Sequence, residues 1–452
     1  MSDLLSRPLR LPCGAVLPNR LCKAAMTEGL ADPWLRATER HVRLYRRWSE
    51  GGAGLLLTGN VMIDRRVLER PGNVAIDRNG GFAQLQAWAR AGTVGGNQLW
   101  MQLSHAGRQS PRYVTGEPLG PSAVQLELLG NYARPRALRE DEILDFIQRF
   151  ARAAVTAREA GFTGVQIHAA HGYLLSAWLS PVTNRRDDAW GGSIENRARF
   201  LIETLRATRT AVGADFPISV KLNSDDFRKN GFSHAECLRV VELLNGEAVD
   251  LLEISGGTYE QPRLLGFAGR SESAEPQRQS TIAREAYFLD YAAQIRTVAK
   301  MPLMVTGGFR TRAGMEAALH EGACDVIGLG RPLCTDPDFP KRLLARETDE
   351  APRYEKTVRL GTSRWLSAAS PVFFIKIVNV LGQQGWYYQQ LFRLADGLDA
   401  QRDRGILRSF FAYLWDEQKT AWRMRRARRR LDAGVEPPPL SSARPAERAG
   451  TG

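Results

Sequence analysis

Residues 164–176 read GVQIHAAHGYLLS and combine an apolar strand with a cluster of polar side chains. The first four residues place β-branched valine and isoleucine after a glycine, which is typical of a short buried strand. His168, His171 and Tyr173 follow at the carboxyl end of that strand. In parallel α/β folds this end carries the loops that do chemistry, whereas the opposite end stabilises the scaffold. The position of the three side chains therefore favours a functional site.

Three interpretations of this cluster stay open on the residues alone. In the first, His168 and His171 bind a metal for hydrolysis, with His105 as a third ligand. A catalytic zinc often also needs a nearby carboxylate base, and no acid lies between the two histidines. In the second, both imidazoles donate hydrogen bonds to a carbonyl oxygen while Tyr173 supplies a proton. In the third, the rings are only packed and hydrogen-bonded.

Eight short apolar strands alternate with amphipathic helices along most of the chain. The predicted strands are residues 19–26, 53–59, 98–103, 164–168, 218–222, 250–255, 303–306 and 325–329. The predicted helices are residues 38–48, 81–91, 141–160, 195–212, 233–244, 284–300 and 312–321. Eight βα units are typical of a (β/α)8 TIM barrel. An open doubly wound sheet is disfavoured because no G-x-G-x-x-G fingerprint follows an early strand.

The end of the chain departs from this alternation. We expect residues 1–346 to form the barrel, residues 347–432 a C-terminal helical extension and residues 433–452 a disordered tail, because the tail is poor in apolar residues. Long loops at residues 104–139 and 256–281 would supply a lid or pocket.

The charge of the chain is concentrated near its C-terminus. The formal net charge is +13, and residues 341–452 hold 21 Lys and Arg against 12 Asp and Glu, or +9. The densest part, residues 423–430, has the composition of a nucleic-acid or anionic-lipid contact, although a solvated helix face is the commoner case. The five cysteines form no C-x-x-C pair, and no apolar segment suits export or a membrane span. These features predict a cytoplasmic protein without an iron–sulfur cluster.

Two neighbouring predicted strands end in glycine-containing segments, TGGFR at residues 306–310 and GLGRP at residues 328–332. Glycines let backbone N–H groups approach phosphate oxygens, and Arg331 would grip a phosphate with two hydrogen bonds. Barrels often bind phosphate at the ends of strands seven and eight. The pattern predicts a phosphorylated ligand, although glycines there also serve tight turns.

Taken together, six segments resemble the Old Yellow Enzyme family of FMN-dependent NADH:flavin oxidoreductases, in particular the barrel part of 2,4-dienoyl-CoA reductases. The resemblance covers most of residues 5–345. The segments are NRLCKAAMTEG (19–29), QLSHAGRQS (102–110), HAAHGYLLSAWLSPVTNRRDDAWGGSIENRARF (168–200), VKLNSDDF (220–227), TGGF (306–309) and GLGRPL (328–333).

The resemblance implies a cofactor site at matching positions. It places one side of the flavin against Ala24, Ala25, Met26 and Thr27, with the Thr27 hydroxyl near flavin O4. Gln102 would bind the pyrimidine edge, Lys221 would lie near N1 and O2, and Asn60 is a further cofactor candidate. The phosphate would be held by Gly307, Gly308, Gly330 and Arg331. Many relatives have arginine where this chain has Lys221. Lysine keeps the positive charge but lacks the planar guanidinium that can donate two parallel hydrogen bonds.

The resemblance also implies a reaction. NADH or NADPH would reduce FMN, and an α,β-unsaturated carbonyl compound would then be reduced at its C=C bond. His168 and His171 would bind the carbonyl oxygen, and Tyr173 would protonate the α-carbon. The cysteines that hold an iron–sulfur centre in dienoyl-CoA reductases are missing here, which predicts direct reduction by the nicotinamide.

Two other functions compete with this ene-reductase. One is the metal-dependent hydrolase described above. The other is a membrane or nucleic-acid binding protein that works through the basic C-terminal helix. With the reductase we expect a small enone as partner and neither nucleic acid nor a membrane span. Peripheral association through the basic tail and a homo-oligomer stay open.

Overall fold

Eight parallel strands close into a barrel in the computed structural model, which describes residues 3–128, 130–257 and 288–438. The strands are β1 (Leu21–Lys23), β2 (Leu55–Met62), β3 (Gln98–Ser104), β4 (Gly164–Ala169), β5 (Ile218–Asn223), β6 (Leu251–Ser255), β7 (Leu303–Thr306) and β8 (Val326–Leu329). Each strand pairs in parallel with the next, and β8 pairs with β1. The predicted (β/α)8 TIM barrel is confirmed.

Helices surround the barrel and continue after it. They are α1 (Glu39–Ser49), α2 (Phe82–Ala91), α3 (Glu140–Ala160), α4 (Ile194–Val212), α5 (His234–Leu244), α6 (Leu289–Arg296), α7 (Arg312–His320), α8 (Phe339–Leu344), α9 (Phe373–Ala395) and α10 (Ile406–Asp432). Two shorter helices, Leu174–Leu179 and Pro332–Thr335, follow β4 and β8. The start of the predicted helix 284–300, most of the loop 256–281 and most of the tail 433–452 lie outside the described residues.

The first two strands differ most from the prediction. β1 ends at Lys23, short of the predicted limit at residue 26, although the Ala24 N–H still donates to the Leu329 carbonyl oxygen of β8. β2 begins at Leu55 and continues past the predicted limit at residue 59 through the polar Asn60 to Met62. The two segments approach closely, since a Cβ on Gly59 would lie 2.5 Å from the Met26 carbonyl oxygen. This contact fixes the backbone of residues 24–27 above the barrel interior.

The extension formed by α9 and α10 is held to the barrel by charged and aromatic groups. The buried Arg70 guanidinium pairs with Glu417 of α10 and lies 3.8 Å from the centre of the Tyr388 ring of α9. The Tyr113 hydroxyl donates to Glu417 Oε2 at 3.1 Å. Because removing one partner of a buried charge pair is costly, these contacts make the extension an integral part of the structure. Within the described residues, no helix combines the length and apolar character needed to cross a bilayer.

We expect Gly385→Ala to destabilise the protein by about 1–3 kcal/mol through overpacking of α9 against α10. A Cβ at this position would lie 2.6 Å from the Tyr413 Cβ and 2.7 Å from the Ser409 carbonyl oxygen. The better helix propensity of alanine recovers only about 0.5–1 kcal/mol. Urea denaturation measures the difference. Gly116→Ala, in a loop, is the control, since no atom lies within 4 Å of a Cβ there. A Gly385→Ala protein as stable as the wild type would contradict the expected clash.

Candidate active site

The structure brings His168, His171 and Tyr173 together at the carboxyl end of β4. The ring centres of His168 and Tyr173 are 4.8 Å apart, and those of the two histidines are 5.1 Å apart. The His168 and Tyr173 side chains are buried, whereas His171 is half-buried. The three polar groups therefore form one cluster at the end of the barrel where chemistry is expected.

Both imidazoles of the cluster are neutral near pH 7. Burial lowers the pKa of His168 well below its ordinary value, and the charge of His171 and Lys221 lowers it further. Burial and Lys221 lower the pKa of His171 in the same direction. The Ala170 N–H donates to His168 Nδ1 at 3.2 Å, so the proton of this neutral ring lies on Nε2. His168 Nε2 is thus a hydrogen-bond donor.

His171 is held in an unusual backbone conformation. Its φ of 62° lies in the left-handed region, which few residues other than glycine adopt. Its N–H donates to Asn223 Oδ1 at 3.0 Å, and its carbonyl oxygen accepts from Gln109 Nε2 at 2.8 Å. Its Nε2 lies 2.6 Å from Ser255 Oγ. Strain of this kind persists where the surroundings fix a functional side chain.

A chain of buried polar side chains crosses the barrel interior below this cluster. Gln102 Nε2 donates to Gln166 Oε1 at 2.6 Å, and Gln166 Nε2 donates to Glu253 Oε2 at 2.9 Å. Glu253 Oε1 lies 3.0 Å from Lys221 Nζ, an ion pair without a well-aligned hydrogen bond. Lys221 and His168 are direct neighbours across β4 and β5. Two of the predicted cofactor residues, Gln102 and Lys221, are therefore linked through two residues that the sequence did not single out.

The segment after β1 carries a second polar group at the barrel mouth. Ala24 is buried and Ala25 half-buried, and Thr27 follows Met26 toward β2. The Thr27 hydroxyl donates to Glu69 Oε2 at 2.8 Å, and Asn60 Nδ2 donates to the same oxygen at 2.5 Å. Thr27 Oγ1 in turn accepts from the Asn60 N–H at 3.5 Å. The proton of the Thr27 hydroxyl is therefore engaged by Glu69.

The glycine-rich ends of β7 and β8 have open backbone donors. Gly307 and Gly308 have positive φ values of 117° and 87°. Within the described part of the chain, the N–H groups of Gly307, Gly308 and Gly330 have no hydrogen-bond acceptor. A Cβ at Gly330 would meet only the Met26 sulfur, at 3.7 Å. Unpaired donors on a small-residue surface are what an anionic ligand requires.

Arg331, at the same end of the barrel, forms an ion pair with Glu355, which precedes α9. Its Nη1 lies 3.7 Å from Glu355 Oε1, and the same oxygen accepts from Arg310 Nη2 at 2.7 Å. The Tyr387 hydroxyl of α9 donates to Glu355 Oε2 at 2.8 Å. Burial opposes ionisation of Glu355, but Arg331 and Arg310 outweigh it and lower its pKa. Glu355 remains an anion that holds Arg331 at the barrel mouth.

A cavity of about 1340 Å³ lies between the barrel mouth and the extension. Thr27 and Arg331 line it from the barrel, and Tyr387 and Tyr388 line it from α9. Pro111, Tyr113, Leu128 and Tyr132, from the predicted loop 104–139, complete one side. Its volume exceeds the 300–1,000 Å³ of common ligand pockets. Because residues of α9 line it, the extension forms one wall of this large chamber.

No group of three or more His, Cys, Asp or Glu side chains within residues 3–128, 130–257 and 288–438 is placed to hold a metal ion. His105, the third ligand of the hydrolase hypothesis, accepts the Gly107 N–H at Nδ1, and burial lowers its pKa to about 4. The described residues thus give no support to a metal-dependent hydrolase.

Several residues of the site were missed by the sequence interpretation, although alternation along the strands indicates some of them. Asn223 and Ser255 lie two residues after Lys221 and Glu253, and side chains two apart on a strand share a face. Glu69 and Glu355 carry no comparable signal. Glu69 lies 42 residues after Thr27 in a segment without a motif. Glu355 lies in a short 3-10 helix, Tyr354–Lys356, outside every motif.

The fold and this site define a TIM-barrel protein with open backbone N–H groups after strands seven and eight and a neutral histidine pair after strand four. The chain belongs to the NADH:flavin oxidoreductase / NADH oxidase family, whose model matches residues 5–350. The resemblance to the Old Yellow Enzyme family is confirmed. The chain is therefore an oxidoreductase of the flavin-dependent kind that uses NADH or NADPH.

Several characterised proteins are similar to this chain. An NADH-dependent flavin oxidoreductase of Hypocrea jecorina is 38% identical over 365 residues, covering 75% of this chain and 88% of the relative. One from Talaromyces variabilis is 35% identical over 423 residues, covering 87% of this chain and 99% of the relative. One from Neonectria sp. is 37% identical over 379 residues and covers 78% of this chain, which spans about half of that relative's length, 49%.

Solved structures agree with the fold. A 2-naphthoyl-CoA reductase in complex with 2-naphthoyl-CoA has a TM-score of 0.70 and 27% identity, covering 76% of this chain and 53% of that one. An Old Yellow Enzyme homologue from Zymomonas mobilis has a TM-score of 0.65 and 26% identity, covering 77% of this chain and 94% of that one.

Proposed function

We propose that this oxidoreductase binds FMN and reduces the C=C bond of α,β-unsaturated carbonyl compounds with NADH or NADPH. The observation that carries the proposal is the cluster at the end of β4. It contains a neutral imidazole that carries its proton on Nε2, a second imidazole fixed by its backbone, and a phenol beside them. These are the groups that polarise a carbonyl and deliver a proton.

The residues at the barrel mouth fit FMN. The unpaired N–H groups of Gly307, Gly308 and Gly330, together with Arg331, suit a phosphate.

The ring system of FMN would meet a different set of groups. Lys221 supplies a buried cation for the pyrimidine end, and Gln102 supplies an amide. Asn60 has a buried Oδ1 without a partner among the described residues. Ala24, Ala25 and Met26 provide a small apolar surface for a ring. When bound, FMN would take a hydride from the nicotinamide and deliver one to the substrate's β-carbon.

The chain's own groups would then act on the substrate carbonyl. His168 Nε2–H and an N–H of His171 donate to the carbonyl oxygen, which draws electron density from the β-carbon. Because both imidazoles are neutral, they stabilise the growing negative charge without transferring a proton to the oxygen first. Tyr173 donates its phenolic proton to the α-carbon. The α-proton and the β-hydride together saturate the bond.

An absorption spectrum of the purified protein tests this function. A flavin band that bleaches on anaerobic addition of NADH or NADPH, and recovers faster with cyclohexenone than without it, is the expected result. The released cofactor should run with FMN on a chromatograph rather than with FAD. A protein that takes up no flavin even when FMN is added would overturn the proposal. Bleaching without faster recovery would support flavin reduction by the nicotinamide but contradict the enone as the substrate.

Glu69→Gln should raise the midpoint potential of the bound flavin by about 30 mV, a tenfold change in a two-electron equilibrium. The Glu69 carboxylate occupies the Thr27 proton, and its negative charge disfavours added electrons nearby. Glutamine still accepts from Thr27 and Asn60 through its amide oxygen, so only the charge changes. Dye equilibration measures the potential. Glu127→Gln, in the loop 104–139, is a charge-matched control expected to leave it unchanged, and an unaltered potential in Glu69→Gln would contradict a role for this carboxylate.

A further inference from the structure

The outward face of α10 is aromatic and apolar in its first half. Leu407, Phe411, Trp415 and Trp422 are 50%, 64%, 67% and 61% exposed. Their spacings of four, four and seven residues place them along one side of the helix. The opposite side, which includes Phe410 and Met424, is buried. Single exposed apolar residues are ordinary, but a row of large ones on one helix face marks an interaction surface.

The second half of the same face is cationic. Arg429 follows Trp422 by seven residues, as Trp422 follows Trp415, so arginine continues the row. Arg425 and Arg426 flank it, and the Arg426 guanidinium lies 5.8 Å from the centre of the Trp422 ring. The acids of the helix do not neutralise this surface. Glu417 is buried against Arg70, Asp416 accepts from Gln389, and Asp432 is the last residue of the helix.

We propose that the outward face of α10 binds the surface of an anionic lipid bilayer. A helix with tryptophan, phenylalanine and leucine beside a cluster of arginines suits the boundary between acyl chains and phosphate headgroups. Trp and Phe side chains enter the boundary, and the arginines pair with lipid phosphates. A second copy of the chain fits less well because it would present the same cluster of arginines. A nucleic acid would use the arginines, and its unpaired bases would stack on the aromatic rings, but it would leave the aliphatic Leu407 without a role.

The anchoring of α10 supports this surface. Glu417, Met424 and Ala427 are buried on the inner side of the helix, so its outer side cannot turn inward without breaking the Arg70–Glu417 pair. The aromatic row is thus held outward by the barrel itself. Binding at this face would place the chamber between the barrel mouth and the extension near a membrane.

Co-sedimentation of the full-length, flavin-loaded protein with vesicles tests the proposal. Vesicles of phosphatidylcholine with phosphatidylglycerol should bind the protein, and vesicles of phosphatidylcholine alone should bind it much less. The triple variant Phe411→Ser, Trp415→Ser and Trp422→Ser should lower the partition coefficient by about tenfold or more. The pair Arg425→Glu and Arg429→Glu should abolish the preference for phosphatidylglycerol. Val94→Ser with Leu144→Ser, two exposed apolar positions on the barrel, is the matched control and should bind like the wild type.

Three outcomes would overturn the proposal. Absence of vesicle binding by the wild type is one. Binding that the serine variant leaves unchanged is the second, because charge alone would then suffice, as for a nucleic acid. A wild-type dimer that the serine variant converts to a monomer, with no vesicle binding in either, is the third and would assign the face to a second copy. All substituted side chains are exposed, and the circular dichroism spectrum and flavin content should match those of the wild type.

Discussion

Tyr173→Phe should slow enone reduction by about 10²–10⁴-fold while leaving flavin reduction by NADH or NADPH unchanged. The phenol is buried beside His168, with the ring centres 4.8 Å apart, and is the proposed proton donor of the cluster. Phenylalanine keeps the ring and its packing but removes the acidic proton. Only the half-reaction that needs this proton should respond. Anaerobic stopped-flow measurements of the two half-reactions, with NADH or NADPH and then with cyclohexenone, separate the effects.

Tyr132→Phe is the matched control for this experiment. Tyr132 is also a buried tyrosine on the wall of the chamber, and burial raises its pKa to about 12. It lies outside the cluster at the end of β4, so the loss of its hydroxyl should change neither half-reaction. Unchanged enone turnover in Tyr173→Phe would remove this residue from the role of proton donor. A slower flavin reduction in the same variant would instead indicate a disturbed nicotinamide site.

The barrel could be predicted because its signal is local. Each strand is a short apolar run, each helix carries one apolar face, and the order of the two repeats along the chain. The His168, His171 and Tyr173 cluster was visible for the same reason, since it lies within one strand end. The strand limits were less exact at β2, which continues through Asn60 to Met62 although the polarity of the Asn60 side chain argues against a buried strand. Backbone pairing with β3 overrides that local signal.

The parts of the site that escaped prediction depend on the closure of the fold. Thr27 and Glu69 are 42 residues apart in sequence, and no pattern in either segment indicates that they share a proton. Glu355 meets Arg331 only because the chain returns to the barrel mouth before α9. The chamber itself is formed between the barrel and the extension. The motifs therefore predicted the candidate site residues, whereas the charged side chains that contact those residues come from segments brought in by tertiary contacts.

Lys221→Met should destabilise the flavin-free protein by about 3–5 kcal/mol, because it leaves the Glu253 carboxylate buried without a counter-ion. The two side chains are 6% and 0% exposed, and Lys221 Nζ lies 3.0 Å from Glu253 Oε1. Gln166 Nε2 then remains as the one donor to Glu253 among the contacts described above. Urea denaturation followed by circular dichroism measures the loss. Lys221→Arg keeps the charge and is expected to retain most of the stability.

The double variant Lys221→Met with Glu253→Gln separates the two roles assigned to this lysine. Replacing the carboxylate by an amide removes the uncompensated charge, so the double variant should regain most of the stability lost in Lys221→Met. The dissociation constant for FMN, measured by quenching of flavin fluorescence, should stay raised in both, because neither supplies a cation for the pyrimidine end. Recovery of FMN affinity together with stability would show that Lys221 serves the fold alone. A stable protein with weak FMN binding would instead show that the Lys221–Glu253 pair keeps a cation buried for the cofactor, at an energetic cost that the pair itself offsets.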